Sequence, residues 1–331
     1  MNTYSTIRVG IAGATGYAGV ELVRRLARHP AADLRLAMAS NGSAPRQVAA
    51  LKRIWDAPVV PFDLERLAGE ADVVFLAVPE TLAAQAAPVL AARGTRVLDL
   101  SGAFRLQSAT DRQRWYPDSP ALDVAVAYGL TERNREALAG ARVIACPGCY
   151  PTAALLALAP LAAAGVIEPG VIIDAKSGIS GAGKTPTERT HFSECHGSIA
   201  AYGVFAHRHA AEIEQGLGMA VTFVPHLVPL DRGIFETIYA RLAPGVDADD
   251  IARLLGAAYE SAPFVRLTGA DLPEIKHVAH TNFCDIGWRV DRPGGQLVLA
   301  ACLDNLVKGA AGQAIQNFNV ACGFDETLGL N

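Results

Sequence analysis

The sequence has no run of basic residues and only a small excess of negative charge. Its 331 residues include 29 lysines and arginines against 33 aspartates and glutamates, which gives a formal net charge of -4. Proteins that bind nucleic acids or membrane surfaces usually carry clustered positive charge. The charge pattern therefore gives no indication of a nucleic-acid or membrane partner.

Long apolar runs and a targeting segment are also absent from the sequence. The longest apolar stretch, residues 153–165, contains Pro160 and is shorter than the roughly 20 residues that span a bilayer. No basic segment, apolar segment or cleavage site precedes the first strand pattern at residues 7–12. Six cysteines without a secretory signal favour reduced thiols, so we expect a cytoplasmic protein.

The first half of the chain alternates short apolar runs with helical patterns. Alternation of this kind is typical of a parallel, doubly wound sheet of the Rossmann type. The predicted elements are strands at residues 7–12, 34–39, 73–78, 97–100 and 143–145, and a helix at residues 17–28.

After residue 149 the pattern changes to that of an α+β domain. The length of the chain suits about two domains. The predicted elements are helices at residues 152–164, 210–217, 248–262 and 305–318, and strands at residues 171–175, 220–224, 233–243 and 297–303.

The glycine-rich stretch 13–19 follows the first strand and opens the first helix. Glycines allow a tight turn there, and the helix N-terminus attracts a pyrophosphate. A glycine-rich turn can also be purely structural, but the strand–turn–helix context favours a dinucleotide. The predicted cofactor contacts in this loop are Gly13, Thr15, Gly16, Tyr17 and Ala18.

The end of the second strand carries no carboxylate. NAD enzymes of this type usually place an acidic side chain there for the ribose hydroxyls. Here the chain reads Ala39-Ser40-Asn41-Gly42, with Arg46 soon after. A 2′-phosphate would meet no negative charge, so NADP is favoured over NAD and Ser40 is a candidate contact.

Cys149 lies at the predicted start of a helix, within the stretch 146–152. Unpaired amides at a helix N-terminus stabilise a thiolate, which makes the sulfur nucleophilic. The alternatives are a buried structural cysteine, a redox pair with Cys146, or a metal ligand. A zinc site needs further ligands and the sequence has no second C-x-x-C, so we expect no metal.

Residues 178–185 match the phosphate-loop pattern G-x-x-x-x-G-K-S/T, and Asp304 is positioned to imitate the matching metal-binding acid. A true phosphate loop opens a long helix, whereas here Pro186 follows at once. We therefore expect this loop to contact the cofactor or a substrate phosphate. Its candidate cofactor contacts are Ser177, Gly178 and Gly181, and Lys184 is a candidate substrate contact.

The remaining candidates are histidines and arginines. His207 and His209 precede a helical stretch, and histidine is the usual general acid or base near neutral pH. Spacing alone does not separate catalysis from packing, nor one histidine from the other. Arg105 and Arg232 supply positive charge for a phosphate or carboxylate, as does Lys184, and His209 is grouped with these substrate contacts.

Taken together, these stretches resemble the N-acetyl-gamma-glutamyl-phosphate reductase family over nearly the whole chain. The motifs that carry the resemblance are GATGYAG (13–19), LSGAFR (100–105), PGCYPTA (147–153), KSGISGAGK (176–184), AYGVFAHRHAAEIEQ (201–215), FVPHLVPLDRGI (223–234), HTNFCDIG (280–287) and DNLVKGAAGQAIQN (304–317).

The resemblance implies a glyceraldehyde-phosphate-dehydrogenase-like arrangement. Residues 1–148 would form the NADP-binding domain, completed by a C-terminal helix at 305–331, and residues 149–304 the catalytic and dimerisation domain. Cys149 matches the family nucleophile, His207 the acid/base and Asn305 the residue that positions the nicotinamide amide. A homodimer or homotetramer is expected by the same resemblance.

The implied reaction is NADPH-dependent reduction of N-acetyl-glutamyl 5-phosphate to the semialdehyde, in arginine biosynthesis, through a thioester on Cys149. One rival is a lysine-pathway reductase of carrier-bound aminoadipyl phosphate, but the chain shows no basic patch for an acidic carrier. A non-catalytic NADP-binding sensor is disfavoured because Cys149 and His207 are retained. A short-chain dehydrogenase is excluded because no tyrosine is followed four residues later by lysine.

Three residues depart from the family pattern. Cys146 replaces the usual asparagine, and Gly102 and His196 stand where an asparagine or an acid is expected. Cys146 either tunes the Cys149 thiol or forms a reversible disulfide with it.

Overall fold

A computed structural model of the chain describes residues 4–39 and 44–331. The chain divides into two compact units, Met1–Pro147 with Ala310–Asn331, and Gly148–Gly309. Residues 305–309 thus lie with the second unit, whereas the whole segment 305–331 was expected to complete the first. Backbone and side-chain hydrogen bonds within the second unit, from Gly309 to Asp304 and from Gly233 to Asn305, account for this. Ser40, a candidate cofactor contact, lies outside the described residues.

In its described part, the first unit alternates strands and helices. Its elements are β1 (Ile7–Ala12), α1 (Tyr17–Leu26), β2 (Ala32–Met38), α2 (Leu64–Glu70), β3 (Val73–Leu76), α3 (Glu80–Ala92), β4 (Arg96–Asp99), α4 (Ala109–Trp115), β5 (Val126–Tyr128), α5 (Thr131–Ala139) and β6 (Val143–Ala145). The six strands are parallel in the order β2-β1-β3-β4-β6-β5. This confirms the predicted doubly wound sheet.

The strands of this sheet are apolar because helices cover both of its faces. Every residue of β3 and β6 is buried, as expected for short, continuous apolar runs in a parallel sheet. Strand β1 lies between β2 and β3. The strand order is therefore built to one side of β1 by β2 and to the other side by β3, which makes β1 the topological switch point of the sheet. Ligands of such sheets bind at the carboxyl ends of the strands beside this switch point.

The second unit contains a mixed sheet in the order β11-β12-β13-β10-β7-β9-β8. Its elements are α6 (Cys149–Ala163), β7 (Val171–Gly178), α7 (Phe192–Cys195), β8 (Ala200–Ala201), α8 (Arg208–Leu217), β9 (Val221–Val228), β10 (Ile234–Arg241), α9 (Ala248–Tyr259), β11 (Val265–Gly269), β12 (Cys284–Val290) and β13 (Gln296–Leu303). A π-helical turn, Val307–Ala311, then leads into α10 (Gly312–Ala321) of the first unit.

The structure differs from the predicted elements in four strands and two helices. Strands β5, β8, β11 and β12 were not predicted. Strand β5 has only three residues and β8 only two, and the apolar run of β12 is interrupted by Asp285, Gly287 and Arg289. The helix predicted at residues 305–318 is a π-helical turn, Val307–Ala311, followed by α10. Helix α6 begins at Cys149 rather than at residue 152, so the cysteine is the first helical residue.

Helix α6 forms the centre of the second unit. Eleven of its fifteen residues are buried. It packs on β10 and β13 and against α8 and α9. A helix that is apolar on all sides is stable only when it is covered on all sides. Its position, and therefore that of Cys149 at its start, is fixed by this packing.

Strand β10 carries an ionisable side chain in this core. Glu236 is fully buried between Ala175 of β7 and Ala301 of β13. Neither of its carboxyl oxygens has a hydrogen-bond partner among the described residues. Burial raises the pKa of Glu236 well above its usual value, and the Lys176 charge offsets this only in part. The carboxyl group is therefore protonated in the folded protein at pH values where it ionises in the unfolded chain.

We expect Glu236→Gln to make the protein more stable at pH 7 to 8. The folded state holds a proton that the unfolded state has lost, so wild-type stability falls as the pH rises above about 4.5, by up to about 1.4 kcal/mol per pH unit. Glutamine keeps the shape of the side chain and has no such dependence. Thermal unfolding midpoints at pH 5 to 8 measure the effect, with the exposed Glu260→Gln as the control. Equal pH slopes for wild type and Glu236→Gln would contradict the burial argument.

Candidate active site

The loop after β1 lies across the carboxyl ends of three strands. Gly13 has φ +89°, and a Cβ added to it would lie 2.0 Å from the carbonyl oxygen of Ala77, just after β3. The amides of Gly13 and Ala14 both donate to the carbonyl of Met38, at the end of β2, at 2.8 Å. Only glycine fits this turn, which lies at the switch point of the sheet.

The same loop opens helix α1. Gly16 is the N-cap, and within the described chain no side chain caps this ten-residue helix. A Cβ on Gly19 would lie 2.0 Å from the carbonyl oxygen of Gly13, so the helix approaches the loop closely. Thr15 lies in the turn, and Tyr17 and Ala18 begin the helix. Open amides at a helix N-terminus beside a glycine turn fit the pyrophosphate of a dinucleotide.

Helix α6 places Cys149 at its first position. Its N-cap Gly148 has no capping side chain in the part of the chain that the structure describes. The Gly148 amide donates to Oε1 of the buried Glu212 at 2.9 Å. A Cβ on Gly309 would lie only 2.8 Å from Cβ of Cys149, so the π-helical turn packs directly on the cysteine. The thiol is not part of a disulfide and is half-buried.

Helix α8 places the two histidines beside this helix start. His207 is its N-cap, and its Nδ1 accepts the amide hydrogen of His209 at 3.1 Å. The two imidazoles lie 4.8 Å apart, centroid to centroid. Tyr150, next to Cys149, contacts both rings edge-on at 6.0 and 5.9 Å. The structure therefore brings His207 and His209 to the amino-terminal end of α6.

The environments of the two histidines differ. Burial among aromatic rings, with a contribution from the Arg208 charge, lowers the pKa of His207 to about 4. Because Nδ1 accepts a hydrogen bond, the proton of the neutral ring lies on Nε2. His209 is 9% exposed. A Cβ added to Gly148 would lie 2.5 Å from its Nε2, so the ring of His209 packs on the backbone before Cys149.

The glycine-rich loop 178–183 is not a phosphate loop of the hydrolase type. Strand β7 ends at Gly178 and a 3-10 turn, Ile179–Ala182, follows. In the described structure no helix begins at Lys184, which is exposed, and the next element is a 3-10 turn, Glu188–Thr190. This excludes the nucleotide-hydrolase alternative.

The structure brings the loop together with Asn305 and Arg232. Asn305 Nδ2 donates to Ser180 Oγ at 3.0 Å. A Cβ on Gly181 would lie 2.5 Å from Ser177 Oγ. A Cβ on Gly178 would lie 2.7 Å from Cα of Arg232. These contacts form one cluster. It contains Arg232, a candidate substrate contact, and the candidate cofactor contacts of the second unit, namely Ser177, Gly178, Gly181 and Asn305.

Three residues beside these candidates were not predicted as site residues from the sequence. Asp304 is fully buried and lies 3.1 Å from the Arg232 guanidinium, although in the sequence it stood out only as an imitation of a metal-binding acid. His280 and Glu212 were not singled out. His280 stands in a motif shared with the family, but no spacing rule marks either residue.

Arg105 lies in the first unit and is 7% exposed. Its Nε donates to the carbonyl of Cys146 and its Nη2 to that of Leu100, both at 2.8 Å. It also lines a cavity of about 160 Å³ together with Arg112 and Tyr128. Two arginines at one small cavity suit an anion.

Cys146 is a buried, neutral thiol. Its Sγ lies 3.6 Å from Nδ2 of Asn317, and burial raises its pKa to about 12. None of the six cysteines, all of which belong to the described residues, is part of a disulfide. A thiol that resists ionisation is a poor partner for disulfide exchange.

No group of three or more histidine, cysteine, aspartate or glutamate side chains in residues 4–39 and 44–331 is arranged to hold a metal ion. Within the same residues, no helix combines the length and apolar character needed to cross a membrane.

Two family models match the chain, one in each half. The model described as "Semialdehyde dehydrogenase, NAD binding domain" matches residues 8–141, and the one described as "Semialdehyde dehydrogenase, dimerisation domain" matches residues 149–305. Aspartate semialdehyde dehydrogenase II of Vibrio cholerae has a similar fold, with a TM-score of 0.74 at 20% identity over 96% of this chain and 99% of that one. The aspartate semialdehyde dehydrogenase of Candida albicans, solved with NADP, has a TM-score of 0.71 at 19% identity over 96% and 98%.

The fold and site therefore define an oxidoreductase of the semialdehyde dehydrogenase class, with a nicotinamide-dinucleotide domain. Relatives named N-acetyl-gamma-glutamyl-phosphate reductase are much more similar. Those of Syntrophobacter fumaroxidans and Shouchella clausii are 45% and 44% identical, each over 98% of this chain and 98% of the relative. That of Synechocystis is 43% identical over 98% and 96%. The chain belongs to the N-acetyl-gamma-glutamyl-phosphate reductase family, which confirms the resemblance.

We expect Gly309→Ala to slow alkylation of Cys149. The added methyl group would lie 2.8 Å from Cβ of Cys149 and 3.2 Å from its Cα, so the cysteine or the π-helical turn must move. Mass-spectrometric peptide mapping after timed iodoacetamide treatment measures the rate. In the control, Gly256→Ala, the methyl group meets no described atom within 4 Å in the middle of α9. Equal rates in the two variants would show that the turn does not fix the cysteine.

Proposed function

We propose that this protein reduces N-acetyl-L-glutamyl 5-phosphate to N-acetyl-L-glutamate 5-semialdehyde with NADPH and releases phosphate, as a step of arginine biosynthesis. The observation that carries this proposal is Cys149 at the open N-terminus of a buried helix, beside His207 and His209. A nucleophilic thiol next to an imidazole is suited to acyl transfer. The names of the relatives supply the substrate.

The proposed cofactor is NADP rather than NAD. The turn at Gly13 and the open N-terminus of α1 fit the pyrophosphate, with Thr15, Gly16, Tyr17 and Ala18 in the same loop. The sequence from 39 to 46 carries no carboxylate and ends in arginine, which supports acceptance of a 2′-phosphate, with Ser40 as a further contact. When bound, NADPH supplies the hydride for the reduction.

The proposed nicotinamide contacts are the cluster of Ser177, Gly178, Gly181 and Asn305. The side-chain amide of Asn305 is held at both ends, because its Oδ1 accepts from the Gly233 amide at 2.7 Å and its Nδ2 donates to Ser180. An amide in a fixed orientation can select the orientation of the carboxamide that it binds.

Cys149 is the proposed nucleophile. Its thiolate attacks the acyl carbon, the C–O bond to the phosphate breaks, and a thioester forms on the sulfur. The start of α6 carries the positive end of the helix dipole, which would stabilise both the thiolate and the oxyanion of the acyl transfer. The acyl group thus remains attached to the enzyme after phosphate has left.

His207 is the proposed hydrogen-bond donor to the oxyanion that forms when the thioester carbonyl is reduced. With Nδ1 accepting from the His209 amide, the Nε2–H of the neutral ring is its donor group. The oxyanion then collapses to the aldehyde as the C–S bond breaks, which frees the thiolate of Cys149. His209, which packs on the backbone before Cys149, is proposed as a substrate contact instead.

The proposed anion contacts are Arg105, Arg232 and Lys184. Arg105 lines the small cavity with Arg112. Arg232 lies beside the loop 178–183, and Lys184 follows that loop. The substrate carries a carboxylate and a phosphoryl group, which guanidinium groups bind well.

We also propose a homodimer or homotetramer in the cytoplasm. The match to a dimerisation domain supports self-association. Three large apolar side chains of that range are 66 to 77% exposed, namely Phe192, Ile199 and Phe205. Apolar surface of this kind is typical of an interface. The free thiols support a reducing compartment.

Replacement of Cys149 by serine should abolish phosphate-dependent reduction of NADP by the semialdehyde, because a hydroxyl is a far weaker nucleophile than a thiolate. Binding of NADPH, followed by its fluorescence, should persist. The wild-type enzyme is assayed with NADP and with NAD, and its activity should be higher with NADP. Near-normal turnover of Cys149→Ser would refute the assignment of the nucleophile.

The wild-type assay also tests the two alternative functions. Activity only with a carrier-linked aminoadipyl substrate would indicate the lysine-pathway reductase, and no activity with either substrate would indicate a non-catalytic sensor.

We expect His207→Asn to lower kcat by roughly 10²- to 10⁴-fold with little loss of stability, because asparagine is also a good helix N-cap. Since the pKa of His207 is lowered to about 4, its ring stays neutral above about pH 5.5. The wild-type profile of kcat should therefore show no acidic limb from this histidine between pH 5.5 and 8. If His209→Asn instead causes the larger loss of kcat, the donor role belongs to His209.

A further inference from the structure

His280 adopts a backbone conformation that side chains rarely occupy. Its φ is +66°, and only two other non-glycine residues among those described, Arg53 and Phe205, have a positive φ. In this left-handed region the Cβ crowds the following carbonyl oxygen, so any residue but glycine costs free energy there. A histidine retained at such a position calls for a role of its side chain.

The backbone of His280 is held by Asp304. The His280 amide donates to Oδ2 of Asp304 at 2.6 Å. The other carboxylate oxygen accepts the amides of Leu306 and Val307 at 2.9 and 3.1 Å. Asp304 is fully buried, so it is a fixed acceptor and the conformation of His280 is set by it.

The side chain of His280 meets Arg232. Nδ1 of His280 and Oδ2 of Asp304 each lie 3.1 Å from Nη1 of Arg232. A guanidinium only donates hydrogen bonds, so Nδ1 of the imidazole is the acceptor in this contact. Arg232, His280 and Asp304 thus form a closed triangle in which the arginine is held from two sides.

This triangle is continuous with the candidate active site within the second unit. The carbonyl of Asp304 accepts the amide hydrogen of Gly309, the residue that packs on Cys149. Gly233, which follows the arginine, donates to Asn305. Asp304, which holds Arg232, is therefore hydrogen-bonded to the turn that packs on Cys149, and the residue after Arg232 is hydrogen-bonded to Asn305.

We propose that His280 is a positioning residue that holds the Arg232 guanidinium for an anionic oxygen group of the substrate, a carboxylate or a phosphate. This inference rests on the proposed function. The imidazole accepts one N–H of the guanidinium, and Asp304 neutralises its charge. The imidazole and the carboxylate together fix the orientation in which the guanidinium meets the anion.

The test compares His280→Gly with His280→Asn in the oxidative direction, where the semialdehyde and phosphate are varied independently. Glycine relieves the backbone and removes the acceptor, so its thermal midpoint should be equal to or above that of wild type, while KM for the anion rises about fivefold at nearly constant kcat. Asparagine tolerates the left-handed conformation and keeps an acceptor, so it should restore KM. KM for NADP should not change in either variant.

The two substrates distinguish the two anions. A rise in KM for the semialdehyde assigns Arg232 to the carboxylate, and a rise in KM for phosphate assigns it to the phosphoryl group. Arg53→Gly is the matched control, because it relieves the same backbone strain in the first unit. The inference is overturned if both KM values of His280→Gly stay within twofold of wild type, or if His280→Asn is as impaired as His280→Gly.

A second readout separates this inference from the proposed function. Thermal-shift titration with inorganic phosphate and with N-acetyl-glutamate measures anion binding without turnover. If wild type shows no phosphate-dependent NADP reduction, the proposed function fails, and the titration alone decides the role of His280. Weaker binding by His280→Gly than by wild type supports the role, and equal binding overturns it.

Discussion

The burial of α6 is the constraint on which the proposed active site depends. The helix is apolar on nearly every face, so it is stable only where β10, β13, α8 and α9 surround it. This packing fixes the helix start, and Cys149 is the first residue there. The reactive position thus follows from the core of the second unit rather than from a flexible loop, which suits a nucleophile that must meet its substrate in one geometry.

Helix α8 connects this core to His207, the proposed donor to the oxyanion, and to His209, a proposed substrate contact. The start of α8 carries the N-cap His207 and the buried His209. The next turn carries Glu212, which accepts a hydrogen bond from the Gly148 amide. The helix that orients the residue before the nucleophile therefore also orients both imidazoles. A change in the packing of α8 on α6 would alter the two groups together, so their effects on activity need not be additive.

The first unit shows how polar side chains direct a distant segment. In α10, Gln313 and Asn317 are fully buried, and both donate to the carbonyl of Gly129, at 3.1 and 2.8 Å. Thr131 in turn donates to Asn317 at 2.6 Å. Buried side-chain amides need hydrogen-bond partners of this kind. These hydrogen bonds hold the C-terminal helix in the dinucleotide-binding unit. A helix pattern in the sequence predicts that α10 forms, but not where it packs.

The sequence by itself determined the fold class, the glycine turn at Gly13 and the helix-start cysteine, because these depend on local spacing and backbone conformation. Periodicity did not predict the three-residue β5 or the interrupted β12, whose pairing comes from neighbouring strands. Only the tertiary structure decided the tautomer and lowered pKa of His207, the neutral buried Glu236, and the attachment of Arg232 to Asp304 and His280. Each of these depends on desolvation or on a hydrogen bond between residues far apart in the chain, and neither is a property of spacing.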